Sequence, residues 1–447
     1  MTSLESSIAS ADVGPIAGLN FSLPPVSSFV IGRQESYFVP SGNTFSPAGV
    51  RTLRINASGA GFADLSTAVL EFQVTNGEPA GGHHLQPITT SGGSFFSELR
   101  ILCGGIEAER IGGGSCSYTR IEEALSKSLP LGKRIDAAGL GFGVDTTMTV
   151  TGPAVYNNAL LNIIPPNILD GAFLPGSLTP NTHGVIWHKP VFGLGQQHLY
   201  CPLWALSGNG LTFEFLLHAN HADAVNTIVV AGVSGSQNWT ISNVRLHMDI
   251  LSLDQSLMAS YANHLLSQKS LIVPYRTYTV VSFQHGASEE TMLQIPRTFT
   301  RLCQVWLLFS RPISGATKDG NHFPIAQSAF NTIEGWIQVG AEKWPSTSYK
   351  GVREFYWRYL KALGYSGSGH HSTSNSITKF GASSFIMIFD LERVQTAFSG
   401  MNTHGGNLTV SLKGMGAGAN DPPTRIDCLL WHDSCLEIND GTASVSF

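Results

Sequence analysis

Phe62-Ala-Asp-Leu-Ser-Thr-Ala-Val-Leu-Glu-Phe72 and Phe299-Thr-Arg-Leu-Cys-Gln-Val-Trp-Leu-Leu-Phe309 share one spacing, Phe-x-x-Leu-x-x-x-x-Leu-x-Phe, about half a chain apart. An L-x-I step precedes each, Leu53-x-Ile55 in the first copy and Leu293-x-Ile295 in the second. An aromatic strand candidate comes before that, Ser36 to Val39 in one half and Tyr275 to Phe283 in the other. The echo predicts one β-rich unit used twice in tandem, with Leu65 and Leu302 at corresponding core positions.

Composition fits such a chain. Only 13% of the 447 residues are charged, against about 25% in ordinary soluble domains. Hydrophobic residues reach 42%, with 48 Gly and 22 Pro, so the chain has core material and many turns rather than the composition of disorder. Few charges also suit a surface that neighbouring copies cover, because a buried charge must be desolvated. The 26 Lys and Arg are scattered singly and the net charge is −5. Without a basic arm, phosphate neutralisation does not dominate any binding, and no specific nucleic-acid contact is expected. The six cysteines form no C-x-x-C pair, which argues against zinc, and buried free thiols are expected. Residues 1 to 25 contain no Lys, no Arg and no continuous apolar stretch, unlike a signal peptide, and no segment has the length and apolarity of a membrane span. The expectation is a cytosolic or nuclear product that is not secreted.

Along the chain, Val69 to Val74 alternates as a half-buried strand does, and Gly104-Gly105 joins Phe95–Leu102 to Ile106–Ile111 as a hairpin. Strands are expected at Leu211–His218, Trp239–Leu251, Ser270–Phe283, Leu302–Phe309, Ser384–Leu391, Asn407–Leu412 and Arg425–Trp431. The unbroken apolar run Leu302–Phe309 implies burial on both faces. Three helices are expected: Tyr118–Leu129, Gln255–Leu266 capped by Asp254, and Ser348–Leu363 with Gly364 as its C-cap. The Gly/Pro/Asn-rich stretch Gly132–Pro202 and the stretch Gly315–Thr347 read as long loops.

Chemistry is nearly absent. There is no G-x-S-x-G, H-E-x-x-H, P-loop or dinucleotide fingerprint, and Gly139–Gly143 lacks the strand-to-helix context for phosphate. His83-His84 and His370-His371 are adjacent pairs whose side chains would alternate faces on an extended strand; His218 and His221 lack a third ligand nearby. Glu122-Glu123 and Glu289-Glu290 read as solvated faces. Trp336, Trp344 and Trp357 with Tyr349, Tyr356 and Tyr359 read either as a sugar platform or, for the tyrosines at helical spacing, as core. No catalytic, cofactor-binding or metal residue is nominated, no cofactor is expected, and the chain is not expected to be an enzyme.

The segment Phe95-Phe-Ser-Glu-Leu-Arg-Ile-Leu-Cys-Gly-Gly-Ile-Glu-Ala-Glu-Arg110 with its following Tyr-led helix resembles the first jelly roll of double jelly-roll major capsid proteins. Ile241 to Ile250 resembles its last strand, and Phe323-Pro324, the Tyr349–Leu363 helix and Phe385–Leu391 resemble the second roll. The closest similarity is to the capsid proteins of polinton-like viruses, adintoviruses and virophages. The resemblance implies an all-β chain of two tandem eight-stranded jelly rolls (antiparallel β-sandwiches) with a few short helices and long loops. Its parts would be an arm at 1–27, a first roll at 28–253, an inter-domain helix at 254–268, and a second roll with C-terminal tail at 269–447. It further implies a viral major capsid protein that self-assembles as pseudo-hexagonal homotrimers into an icosahedral shell around a DNA genome. The partners implied are further copies of the chain, minor capsid or penton proteins and, through the arm, an inner membrane; the location implied is the virion. Two other readings stay open: a carbohydrate- or receptor-binding β-sandwich, and a glycosidase with two separated carboxylates.

Overall fold

The principal strands of the first half in the computed structural model are β1 (Val30–Phe38), β2 (Thr52–Ala57), β3 (Phe62–Asn76), β4 (Phe96–Cys103), β5 (Ile106–Gly112), β6 (His183–His188), β7 (Leu211–Leu217) and β8 (Trp239–Leu253), with helix α1 (Tyr118–Ser128) between β5 and β6. Helix α2 (Gln255–Leu266) follows. The second half has β9 (Leu271–Gln284), β10 (Glu290–Ile295), β11 (Leu302–Ser310), β12 (Glu334–Val339), β13 (Glu342–Lys350), helix α3 (Gly351–Ala362), β14 (Ile386–Asp390), β15 (Leu408–Lys413), β16 (Arg425–Asn439) and a closing β17 (Thr442–Ser446). The structure describes residues 29–446 except 80–82, 84, 86, 90, 114–115, 129–146, 150–154, 158–177, 179, 207–209, 226–227, 231–232, 268, 287, 311–331, 365–379, 381–384, 393–398, 416–422 and 440–441.

One sheet of the first half has the order β1-β8-β3-β6, extended by the short strands Thr44–Phe45 and Cys201–Pro202; the facing sheet has the order β2-β7-β4-β5. The second half has β9-β16-β11-β14, extended by β17, facing β10-β15-β12-β13. Strand for strand, each sheet of the second half therefore repeats its counterpart in the first. All of these pairs are antiparallel, and each unit pairs its first strand with its eighth. That is a jelly roll: a long hairpin wrapped so that its two arms lie in two packed sheets.

The echoed residues explain why both halves wrap alike. Leu53 and Ile55 on β2 and Leu293 and Ile295 on β10 all point inward and are buried. Leu65 and Leu302 are also buried, each at the register shift between its strand and the last strand of its own unit. Leu70 pairs with Leu246 and Leu307 with Cys428. Phe72 meets Phe95 and Phe96 edge-on across the first sandwich, at 6.2 and 5.7 Å between ring centroids; Phe309 stacks on Phe385 in the second, at 5.5 Å. Edge-to-face and offset pairs of this kind add to plain area burial.

Local chemistry fixes the ends of the elements. Gly104 and Gly105 both have positive φ, 57° and 87°, as the two-residue hairpin between β4 and β5 requires. The Asp254 carboxylate accepts the Ser256 N–H at 3.0 Å and caps α2, whose Tyr261 ring packs on Phe62 at 5.5 Å. Gly364, at φ 77°, follows α3 and donates to Lys361.

Several sequence expectations need correction. The stretch Gly132–Pro202 contains β6, whose Gly184, Ile186 and His188 face inward; its histidines at both ends and glycine in the buried register hid the alternation. The stretch Gly315–Thr347 contains β12 and most of β13. Gly335 lies inside the first, and Pro345 in the second is tolerated because β13 is a sheet edge that need not donate there. Helix α3 starts at Gly351, not Ser348, since Ser348 still lies in β13 and Tyr349 and Lys350 still pair with β12. Strand β16, expected at Arg425–Trp431, runs on to Asn439.

Candidate functional site: the seam between the two sandwiches

Strand β5 is the edge of its sheet, and sequence alternation would leave one of each neighbouring pair in water. Instead Ala108 and Glu109 are both buried, because the edge strand β9 of the second sandwich lies against them. The Tyr275 hydroxyl donates to the Ala108 carbonyl at 2.5 Å, and the Thr277 hydroxyl donates to Glu109 Oε1 at 2.7 Å. The Glu109 carboxylate also accepts the backbone N–H groups of Gly193 (2.6 Å) and Leu194 (3.2 Å). Gly193 approaches so closely that a Cβ there would lie 2.0 Å from the Arg276 carbonyl oxygen; only glycine fits.

A second tie runs through α1. The Arg120 guanidinium forms an ion pair with Asp427 on β16 at 3.0 Å, and its Nη2 donates to the Phe309 carbonyl at 2.7 Å. Asp427 is fully buried and also holds Arg425 (3.1 Å) and the Ser282 hydroxyl (2.6 Å). Burial lowers the pKa of Arg120 while the Asp427 charge opposes that shift. Under α1 lies a polar network that fixes the helix. Tyr118 Oη is 3.1 Å from His188 Nε2 and accepts the Val191 N–H at 2.9 Å; the Ser91 hydroxyl donates to Glu122 at 2.5 Å.

Burial sets the charge states. It pushes the Glu109 carboxyl up to about 7, against the hydrogen bonds from Thr277, Gly193 and Leu194 that pull it down. It pushes Glu122 up to about 8 and His188 down to about 3, so both are neutral at pH 7. Glu122, expected on a solvated face, is therefore corrected to a buried helix anchor. A cavity of about 380 Å³ opens along the seam between β5 and β9. The two carboxylates on its wall are already engaged, Glu107 by Arg100 at 2.9 Å and Glu109 as above.

The other sequence candidates do not converge. His218 hydrogen-bonds Thr119 at 3.0 Å, while His221 packs on Trp239 at 5.5 Å. His83 is exposed, and His84 and the pair His370-His371 lie outside the described residues. Among the described residues no group of three His, Cys, Asp or Glu is placed to hold a metal ion, and no helix is long and apolar enough to cross a membrane. Tyr349 and Tyr359 are core, as their spacing implied, while Trp344 and Trp357 are exposed. The cysteines are free thiols, all buried except the half-buried Cys435. Arg120, Glu109 and Gly193 were not singled out by sequence, since each is an ordinary residue in a helix, a hairpin and a loop until the second sandwich is in place.

The tandem arrangement of two sandwiches recurs in solved structures. The chain matches the quasi-atomic model of the PBCV-1 virus capsid over 96% of its own length and 99% of that chain, with a TM-score of 0.60 at 10% identity. It matches the Faustovirus major capsid protein over 97% and 94%, with a TM-score of 0.60 at 8% identity. The fold is the double jelly roll of viral major capsid proteins. A chain of the Sputnik virophage structure has the same double jelly roll, with a TM-score of 0.54 at 14% identity over 96% of this chain and 91% of that one. No family model and no curated protein matches the sequence. At these identities it is the double jelly roll, not the side chains, that is shared.

Proposed function

We propose that the chain is a viral major capsid protein that forms homotrimers of pseudo-hexagonal outline and builds an icosahedral shell around a DNA genome. The observation that carries this reading is the seam. Two rolls docked through Tyr275, Thr277, Glu109 and Arg120 make one brick with sheet edges left over at both ends. The double jelly-roll fold and the low charge of the chain support it. In this reading residues 28–253 and 269–447 are the two rolls, 254–268 the joint, and 1–27 an arm that meets a neighbouring capsomer, a minor capsid or penton protein, or an inner membrane. The protein is made in the host cytosol or nucleus and ends in the virion.

The test is negative-stain microscopy of the purified full chain together with light scattering. Hexagonal particles of trimer mass, or closed shells, are the expected result; a monomer at every concentration and salt condition overturns the reading. A glycan array run on the same preparation separates it from a carbohydrate-binding β-sandwich.

A further inference from the structure

Two buried cysteines meet at one corner of the first sandwich. Cys103 is the last inward residue of β4, after Leu99 and Ile101. Cys201 lies on the facing sheet, in the short strand beside β3. The ladders bring them to the same end. Cys103 pairs with Leu211 and Leu211 with Ala57; the chain after Ala57 turns into Phe62 and Ala63, and Ala63 pairs with Cys201. Hydrogen bonds hold both backbones there, from the Gly104 N–H to the Gly210 carbonyl at 2.9 Å and from the Leu203 N–H to the Gly61 carbonyl at 3.1 Å. Between the sheets the Cys103 thiol hydrogen-bonds Cys201. That bond first, and burial second, raise the Cys103 pKa well above its ordinary value, so Cys103 is the protonated partner.

The other cysteines make different contacts. Cys116 hydrogen-bonds Asp427, Cys303 hydrogen-bonds Asp433, and Cys435 accepts from Arg301 Nη2 at 3.8 Å. Cys428 is enclosed on β16 beside Asp427. Cys103 and Cys201 stand apart from these as a pair of thiols. The chain between them carries the first-sandwich residues of the seam: Ala108 and Glu109 on β5, Arg120 on α1, and Gly193 and Leu194. A covalent bond from Cys103 to Cys201 closes that whole segment at its base.

We propose that Cys103 and Cys201 are a modification site, forming a disulfide between the two sheets when a peroxide oxidises the chain, and that this bond locks the segment that builds the seam. Cys201, at 2% exposure against 0% for Cys103, is the sulfur that a small oxidant meets first. Its thiolate attacks hydrogen peroxide, the O–O bond breaks, and hydroxide leaves as the sulfenic acid forms. The Cys103 sulfur then displaces hydroxide from that sulfenic acid; the S–S bond forms, and the hydroxide leaves with the Cys103 proton as water. Two thiols and one peroxide give one disulfide and two waters, with two electrons passing from sulfur to oxygen. The sulfurs are already neighbours, so side-chain rotation rather than strand movement brings them toward the bond length of about 2.05 Å. A reducing cell interior keeps the pair as thiols, and an oxidising exterior closes it. Nothing in this chemistry depends on assembly, so it stands apart from the capsid reading.

The test treats the purified full chain with hydrogen peroxide, blocks the remaining thiols with iodoacetamide, and maps the peptides by mass spectrometry without reduction. A peptide pair joined through Cys103 and Cys201, lighter by two hydrogen atoms, is the expected result. The thermal midpoint is expected to rise by roughly 5 °C or more, since a loop of about 100 residues is closed, and to fall back in dithiothreitol. Cys201→Ser is expected to lose both the joined peptides and the rise, while Cys435→Ser keeps both. Alkylation of both cysteines after peroxide, sulfinic acid at Cys201 without a joined pair, a link from either cysteine to a different one, or a joined chain with an unchanged midpoint overturns the proposal. The peptide map needs no variant, so it decides even where Cys201→Ser fails to fold.

Discussion

The Arg120 guanidinium on α1 lies 3.0 Å from the Asp427 carboxylate on β16, a buried ion pair that ties the first sandwich to the second. Removing one partner of such a pair costs roughly 3–5 kcal/mol, because the other is left as an uncompensated buried charge. Arg425 also touches Asp427 at 3.1 Å, which places Arg120→Ala near the lower end, about 3 kcal/mol. The expected outcome is a lowered thermal or denaturant midpoint, with limited proteolysis newly cutting between the sandwiches near α2. An unchanged midpoint and an uncut chain would mean that the pair does not hold the seam.

Glu109 makes the seam sensitive to pH. Its folded pKa of about 7 lies above the ordinary 4.5, so the protonated carboxyl is the form the fold prefers. Stability from this group is fully present below about pH 4.5 and is lost as pH rises through about 7, by something on the order of 3 kcal/mol. Glu109→Gln, neutral at every pH, is expected to flatten that part of the stability profile in urea titrations at pH 5 and 8. An undiminished slope in the variant refutes the assignment.

His188 has the opposite sign. Burial lowers its pKa to about 3, so its contribution is present above the unfolded value near 6.5 and is lost as pH falls toward 3. At pH 5 its imidazole should still be neutral. In protein labelled with 13C at histidine, the ring signals that stay in the neutral position at pH 5 should include one that vanishes in His188→Gln, beside that of His432, which burial lowers to about 4. A His188 signal that titrates near 6.5 would contradict the burial described.

Gly193→Ala tests how closely the sandwiches approach. The new methyl would sit 2.0 Å from the Arg276 carbonyl oxygen, so the backbone must move. A loss of about 1–3 kcal/mol is expected, as for overpacking elsewhere. Gly105→Ala is the control, since no heavy atom lies within 4 Å of its would-be Cβ and it adds strain only through positive φ; it should leave the seam resistant to protease.

Much of the fold was legible in the sequence, because apolar spacing is imposed within a strand and its immediate partner. Leu53, Ile55, Leu70 and Phe72, and their echoes, face their own cores, so their pattern survives in one dimension. Strand β11 also revealed its burial on both faces through its unbroken run from Leu302. Strands β6, β12 and β13 were hidden because His183 and His188, Gly335, and Pro345 take positions where a strand pattern needs apolar or β-branched residues. The seam was hidden for a different reason. Glu109 and Arg120 are charged, and only the partner sandwich, more than 150 residues away in sequence, turns their exposed positions into buried ones.

Helix α2 gives the seam a kinetic consequence. Because it tethers the two rolls, their docking occurs within one molecule at an effective concentration in the millimolar range that a short tether provides. It carries no cost in lost translational freedom between separate chains. Contacts between separate chains, by contrast, strengthen with protein concentration by mass action, while the docking of the two rolls on each other does not.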